Sequence, residues 1–467
     1  MFFNIKRIAF LVVMNIVVVG GGAAGVSAIQ SIRKVDKISN LTLITDEDQL
    51  EYSRCGMPFY IADIVPKFES LVDYGLDWVK ERNVNVALKS KVTKLDTQTK
   101  TVFYSDGIRE NEMNYDKIII ATGSTPKIPP IEGIKDVEGI YTLRNYIDAN
   151  KIKDIGKDSR VIILGAGLTG IELIEALHNK VAEITLVEAL PHPLQMVFEP
   201  EITAPLVKKM EFICKKLYFN SKAKKVLKSG NSFSGLIIEY EGKEITIEGD
   251  VLIVSTGNSP NSVFAKEAGV NVLKTGHIIV NEKMETNIHD VYAAGDVTAM
   301  FAPWIKDYYP VGTGSVATRQ GLVAGNNVIG KADSFTLPYS NARTTKCFGI
   351  EMAAVGAGSA DLDRNGIKYF VHVQEGNSHP LYIPWNSKII WKFFVSMEGT
   401  LLGVHCEGEG ASQRINMFSI AIAKNMDINE LRNIELSYAP AVSPVLDSAY
   451  IALSAVWIKW QRMKRII

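Results

Sequence analysis

The chain has 467 residues, room for about three domains at roughly 150 residues each. Fifty-one Lys and Arg balance fifty-one Asp and Glu, so no chain-wide basic field exists to concentrate nucleic acid. Apolar residues at 47% and charged residues at 22% exclude a disordered chain; four scattered cysteines (Cys55, Cys214, Cys347, Cys406) exclude a disulfide scaffold or zinc knuckle and point to a reducing, cytoplasmic setting.

The N-terminus opens like a signal peptide, but its apolar run, residues 8–19, is too short to span a bilayer and carries no small-residue cleavage pattern. Residues 15–19 are read instead as a buried strand, Met14 as a candidate start and residues 1–13 as an extension. The strand runs into Gly20-Gly-Gly22-Ala23-Ala24-Gly25, a G-x-G-x-x-G turn, and then into helical apolar spacing. The first glycine allows the turn, the second lets a pyrophosphate reach the backbone, and the third lets helix and strand pack closely. The helix N-terminus offers partial positive charge to phosphates. A second strand at 41–45 follows on schedule, with Asp46 and Glu47 behind it as candidate ribose acceptors.

Residues 51–61, Glu-Tyr-Ser-Arg-Cys-Gly-Met-Pro-Phe-Tyr-Ile, carry the one cysteine in a special setting. Pro58 suits a first helical turn, which places Cys55 at a helix N-terminus beside Arg54. Both features favour thiolate and predict a lowered pKa for Cys55. A thiolate is the species that attacks a disulfide sulfur.

A buried strand then ends in the small-residue turn Ala121-Thr122-Gly123. The fingerprint returns at Gly165-Ala-Gly167-Leu168-Thr169-Gly170, and the strand at 183–188 ends in Glu188. A carboxylate there accepts from an adenosine 2′-hydroxyl and repels a 2′-phosphate, so NADH is favoured while NADPH stays possible. The turn recurs at Gly257, and Gly295-Asp296 closes a later strand.

With these motifs in place, residues 14–467 resemble the two-dinucleotide FAD-dependent pyridine nucleotide–disulfide oxidoreductase family. The resemblance implies an α/β fold with two Rossmann-like domains and an α+β C-terminal dimerisation domain. It divides the chain into a discontinuous FAD domain (14–128 and 260–333), an inserted NADH domain (129–259) and a dimerisation domain (334–467). FAD would be held by the first fingerprint, Asp46, Glu47, Arg54, Val92, the 121–123 turn and Gly295-Asp296. NADH would be held by the second fingerprint, Glu188 and Gly257.

No second cysteine follows Cys55 until Cys214, so the paired thiols of the glutathione reductase-like and thioredoxin reductase-like branches are absent. One redox thiol must store its oxidising equivalent as a mixed disulfide or a sulfenic acid. This is similar to the single-cysteine branch of coenzyme A disulfide reductases, NADH oxidases, NADH peroxidases and sulfur or persulfide reductases. Peroxidases and many oxidases carry a histidine where this chain has Ala23, which turns the reading from oxygen chemistry toward a thiol-linked substrate. Coenzyme A disulfide leads. A sulfur or polysulfide reductase and an NADH oxidase follow, with an electron-transfer flavoprotein reductase more remote. Ser53 and Arg54 would meet the substrate near the thiol, and Arg33 and Lys34 would meet the nucleotide end of coenzyme A.

The C-terminal third reads as strands around 346–355, 368–373 and 389–395, then a helix at 413–423. In the family a Tyr-Ala-Pro segment, here Tyr438-Ala-Pro440, reaches the partner subunit's active site in a homodimer. Tyr438 would protonate a departing thiolate, and Tyr382 is a second candidate tyrosine. The last helix, apolar and ending basic, is read as packed against the protein and not as a membrane contact through Trp457 and Trp460.

Overall fold

A computed structural model describes residues 13–464. The extension expected at 1–13 lies, but for Val13, outside the described residues, as does the end of the basic tail at Arg465.

Two five-stranded parallel sheets carry the two fingerprints. In the first, the order is Val291–Ala293, Lys117–Ile120, Asn15–Val19, Asn40–Ile44, Val84–Ala87. In the second it is Lys216–Tyr218, Glu183–Val187, Arg160–Leu164, Val251–Val254, Ile140–Tyr141. The central strands are runs of Val, Ile and Leu because helices or small antiparallel sheets cover both faces. Each fingerprint strand sits mid-sheet, so each glycine turn opens at the carboxyl edge where such sheets bind ligands. The connections between the two units, Ser124–Pro126 and Asn258–Pro260, pair antiparallel and form a double strap.

The first fingerprint helix, Ala23–Val35, crosses Gly314–Val328 at close range. Gly321 and Gly325 make this possible, since a Cβ at either would overlap the backbone carbonyl of Ala24 or Ala28.

The C-terminal unit is a five-stranded antiparallel sheet in the order Arg343–Cys347, Ile350–Gly356, Leu401–Gly408, Lys388–Ser396, Tyr369–Asn377. The single strand expected at 346–355 is a hairpin, broken where Phe348 and Gly349 take positive φ angles of 52° and 79°. Helices Ala411–Ala423 and Ser448–Lys464 pack on the sheet. The tryptophans of the last helix are engaged within the protein: Trp460 is buried and donates to Met397 O, and Trp457 donates to Asn429 Oδ1. Among the described residues no helix is long and apolar enough to cross a membrane.

A buried ion cluster joins the second sheet's unit to the C-terminal sheet. Lys392 Nζ lies 2.8 Å from Glu199 Oε2 and 2.9 Å from Glu201 Oε2, with Lys392 and Glu199 both nearly buried. Lys392→Met leaves Glu199 as an unpaired buried charge and is expected to cost about 3–5 kcal/mol. Thermal unfolding checks this; a melting temperature unchanged by the substitution contradicts it.

Candidate active site

The two glycine turns are built alike. Gly20 has φ 109° and Gly165 φ 107°. A Cβ on Gly25 would overlap the carbonyl oxygen of Gly20, and one on Gly170 that of Gly165. The middle glycines face open space: a Cβ on Gly22 would meet nothing closer than Arg54 Nη2 at 3.8 Å, and one on Gly167 nothing closer than Ser255 O at 3.9 Å. That is the arrangement a pyrophosphate needs, with two glycines consumed by the turn and one left open. Gly22 and Gly167 cap helices whose first N–H groups receive no side-chain cap, leaving those donors for an anion.

Beside the first turn lies a cavity of about 630 Å³ whose lining includes Gly20, Asp46, Val92 and Thr122. Asp46 is exposed at its edge. Glu47 does not line it. Its carboxylate accepts from Tyr52 Oη at 2.7 Å and from Arg54 Nη2 at 3.0 Å, so it anchors Arg54. The Arg54 Nη1 donates to Tyr52 Oη and to Arg144 O. Arg144, which lies in no motif, joins Arg54 within electrostatic reach of Asp296. Gln320 is a second unforeseen residue: buried, it accepts from Gly295 N at 2.7 Å and from Thr298 Oγ1 at 3.1 Å, fixing the Gly-Asp turn. Open glycine, free helix N–H groups, a cavity of this volume and two guanidinium groups nearby fit a dinucleotide such as FAD.

At the second turn, the Glu188 carboxylate accepts from the backbone N–H of Ala166 and of Leu190, which holds it at the strand end beside Gly167. Leu168 and Thr169 open the helix that follows. Gly123 and Gly257 sit at the two ends of the paired strap between the units.

Cys55 lies in a short turn, Arg54–Gly56, leading into the helix Met57–Ile61 with Pro58 in its first turn. The Ser53 hydroxyl accepts from Gly56 N at 3.1 Å and holds that turn. Cys55 is exposed, whereas Cys214, Cys347 and Cys406 are buried. Burial pushes the thiols of Cys214 and Cys347 up to about 12, which keeps them inert.

The lowered pKa expected for Cys55 is corrected by its surroundings. Its outer side is open, yet the protein crowded around the thiol pushes its pKa up, and the carboxylates of Glu172 and Asp296 push it further, against a smaller opposing pull from Arg54. Arg54 is weak here because Glu47 already neutralises it. Burial and the neighbouring Glu175 in turn push Glu172 up to about 7, so near neutral pH this group takes up a proton and its repulsion of a thiolate falls away. Glu172 lies on the second fingerprint helix and Asp296 on the Gly-Asp turn of the first site. The thiol thus stands between the two fingerprint units.

Arg33 is a second correction. Its guanidinium spends four of its five N–H donors on the backbone carbonyls of Arg82, Asp36, Ser39 and Asn83, and it is buried, so it is a strut and not a surface cation open to coenzyme A. Lys34 beside it is exposed. Tyr438 and Tyr382 are both exposed, at 47% and 71%, and lie against one another on the C-terminal unit. His405 and Cys406, adjacent on one strand, are both buried.

The chain belongs to the pyridine nucleotide-disulphide oxidoreductase family, whose pattern matches residues 14–321, with the family's dimerisation domain at 343–450. It is therefore an FAD- and NAD(P)H-dependent oxidoreductase. It is 32% identical over 94% of its length to an NADH oxidase of Methanocaldococcus jannaschii, of which it covers 98%. It is 27% identical over 93% of its length to a CoA-dependent NAD(P)H sulfur oxidoreductase of Pyrococcus abyssi, covering 96% of that protein. Among solved structures, an NAD-dependent persulfide reductase from A. fulgidus superposes with a TM-score of 0.89 at 30% identity, over 96% of this chain and 83% of that one.

Proposed function

We propose that the chain is an NADH-dependent reductase of small disulfides, with coenzyme A disulfide the leading substrate and Cys55 the only redox thiol. The observation that carries this reading is the exposed Cys55 with Glu172 of one dinucleotide unit and Asp296 of the other as its charged neighbours. When bound, FAD supplies the route by which two electrons pass from the hydride of NADH to a disulfide sulfur.

The chain's own residues then have these parts. Glu188 holds the adenosine ribose of NADH, and the open Gly167 admits its pyrophosphate. Protonation of Glu172 relieves part of the repulsion that opposes a thiolate at Cys55, and the Cys55 thiolate attacks one sulfur of R–S–S–R. A mixed disulfide forms between Cys55 and one R–S group; the other leaves as a thiolate and takes a proton from Tyr438 of a partner subunit. Two electrons cleave the mixed disulfide, freeing the second thiol and restoring the Cys55 thiolate. The sum is NADH + H⁺ + R–S–S–R giving NAD⁺ and two R–SH. Lys34, exposed in the last turn of the first fingerprint helix, is the side chain available to phosphates of coenzyme A.

The dimer that this requires is a homodimer through the C-terminal unit, and a reducing compartment such as the cytoplasm keeps Cys55 in its thiol state between turnovers. Oxygen chemistry is disfavoured because Ala23 offers no proton donor at the start of the fingerprint helix. A sulfane substrate is the second reading, favoured by the likeness to a persulfide reductase and a CoA-dependent sulfur oxidoreductase. Product analysis separates the two. Release of two coenzyme A thiols per NADH supports the leading reading, whereas sulfide release from a persulfide with no turnover of coenzyme A disulfide supports the second.

Glu188 also sets the choice of nucleotide. Glu188→Ala removes the carboxylate that repels a 2′-phosphate, and kcat/KM with NADPH relative to NADH is expected to rise at least about tenfold. An unchanged ratio contradicts the assignment of Glu188 to the ribose.

A further inference from the structure

Tyr382 and Tyr438 sit on separate loops. Tyr382 lies in the turn that joins Tyr369–Asn377 to Lys388–Ser396, and Tyr438 in the stretch before the terminal helix Ser448–Lys464. Both side chains are exposed, so they meet one another only as far as the two loops hold them at the right separation. A single largely buried side chain links the loops. Arg414, on the helix Ala411–Ala423, donates from Nη2 to Ser378 O at 2.9 Å, four residues before Tyr382, and to Val442 O at 3.3 Å, four residues after Tyr438. Its Nε donates to Asp447 Oδ2 at 2.9 Å, and Asp447 also accepts from Ala449 N at 2.8 Å at the start of the terminal helix. Its Nη1 donates to Glu409 O at 3.1 Å. One planar fork therefore satisfies carbonyls from both tyrosine loops while a carboxylate neutralises it, a task a lysine with one nitrogen cannot perform.

The local backbone is shaped around this group. Gly410 takes a positive φ of 76°, and a Cβ there would overlap Arg414 Nη1. The Ser378 loop is closed by its own bonds, with Ser378 N donating to Ser387 O and Asn386 Oδ1 accepting from His379 N, so moving Ser378 moves the turn that bears Tyr382.

We propose that Arg414, held by Asp447, is a positioning residue that sets the spacing of Tyr382 and Tyr438 and thereby governs proton delivery to the leaving thiolate. The proposal rests on the tyrosine role given under Proposed function. A displacement of about 1 Å at a reacting group costs up to about 100-fold, so Arg414→Lys is expected to lower kcat for coenzyme A disulfide 10- to 100-fold, the lower bound being roughly the loss for a partial displacement.

The test uses the purified holoenzyme. Turnover of coenzyme A disulfide is compared in four proteins: wild type, Arg414→Lys, the double variant Tyr382→Phe/Tyr438→Phe, and the triple combination. The rate of flavin bleaching by NADH is followed in each. The proposal predicts that Arg414→Lys slows turnover but not bleaching, and that it costs nothing further once both hydroxyls are gone. An equal loss from Arg414→Lys with and without the tyrosine hydroxyls would show a merely structural role and overturn it, as would wild-type turnover in Arg414→Lys. Should Arg414→Lys fail to fold, Gly410→Ala, which displaces the guanidinium without removing it, is put through the same comparison. A tyrosine double variant as fast as wild type removes the tyrosine role itself, and the positioning proposal with it.

Discussion

Replacing Cys55 by serine is expected to lower disulfide turnover by roughly 10³-fold or more, because the loss of a nucleophile is not compensated by a neighbour. The other three cysteines are buried, and none is within the turn that bears Cys55. NADH should still bleach the flavin in the variant, since the nucleotide-binding residues are untouched. Steady-state turnover and single-turnover bleaching, measured together, separate these two halves. Unchanged turnover would remove Cys55 from the reaction. The pH dependence has a defined sign. The surroundings raise the Cys55 pKa, so in the flavin-free protein alkylation by iodoacetamide should be slow near neutral pH and climb in the alkaline range as the thiolate appears.

Gly25→Ala is expected to be the most damaging small change in the first dinucleotide unit. The added methyl would overlap the carbonyl oxygen of Gly20, which is backbone at the centre of the turn and has nowhere to go. Helix Ala23–Val35 must then lift from strand Asn15–Val19, at a cost of about 3 kcal/mol, the upper end of ordinary overpacking, and the phosphate turn opens. Gly22→Ala has no such overlap and should keep the fold while weakening FAD, because the methyl occupies the space a pyrophosphate would use. Flavin content and melting temperature together check the contrast: Gly25→Ala is expected to lose both, Gly22→Ala mainly the flavin. Full flavin content with Gly25→Ala would contradict the packing argument.

The parts of the fold carried by local chemistry were legible from the amino acids. Each glycine fingerprint needs a preceding buried strand and a following helix, and the apolar runs at 15–19, 117–120, 160–164 and 251–254 are continuous because both sheet faces are covered. The hairpin at Phe348-Gly349 was not, because a positive φ at phenylalanine is imposed by pairing between strands and leaves no compositional mark.

Side-chain roles were less legible, since they depend on which charges fold together. Arg33 reads as a surface cation at a helix end, but the loops at 36–39 and 82–83 bring four carbonyls to it. Arg54 reads as a cation free to stabilise a thiolate, but Glu47, seven residues earlier, pairs with it. Glu172, 117 positions from Cys55 in the chain, becomes its neighbour only through the packing of the active-site helix on the second fingerprint helix. Arg144 and Gln320 lie outside every motif and acquire their positions the same way.

The mixed disulfide on Cys55 is read out by the intact mass of the holoenzyme. The protein is reduced with one equivalent of NADH, treated with coenzyme A disulfide and run under non-reducing conditions. One coenzyme A-sized adduct per chain is expected, mapped to Cys55, lost on adding reductant and missing from Cys55→Ser. An unmodified mass, or an adduct mapped to Cys214, Cys347 or Cys406, would contradict it.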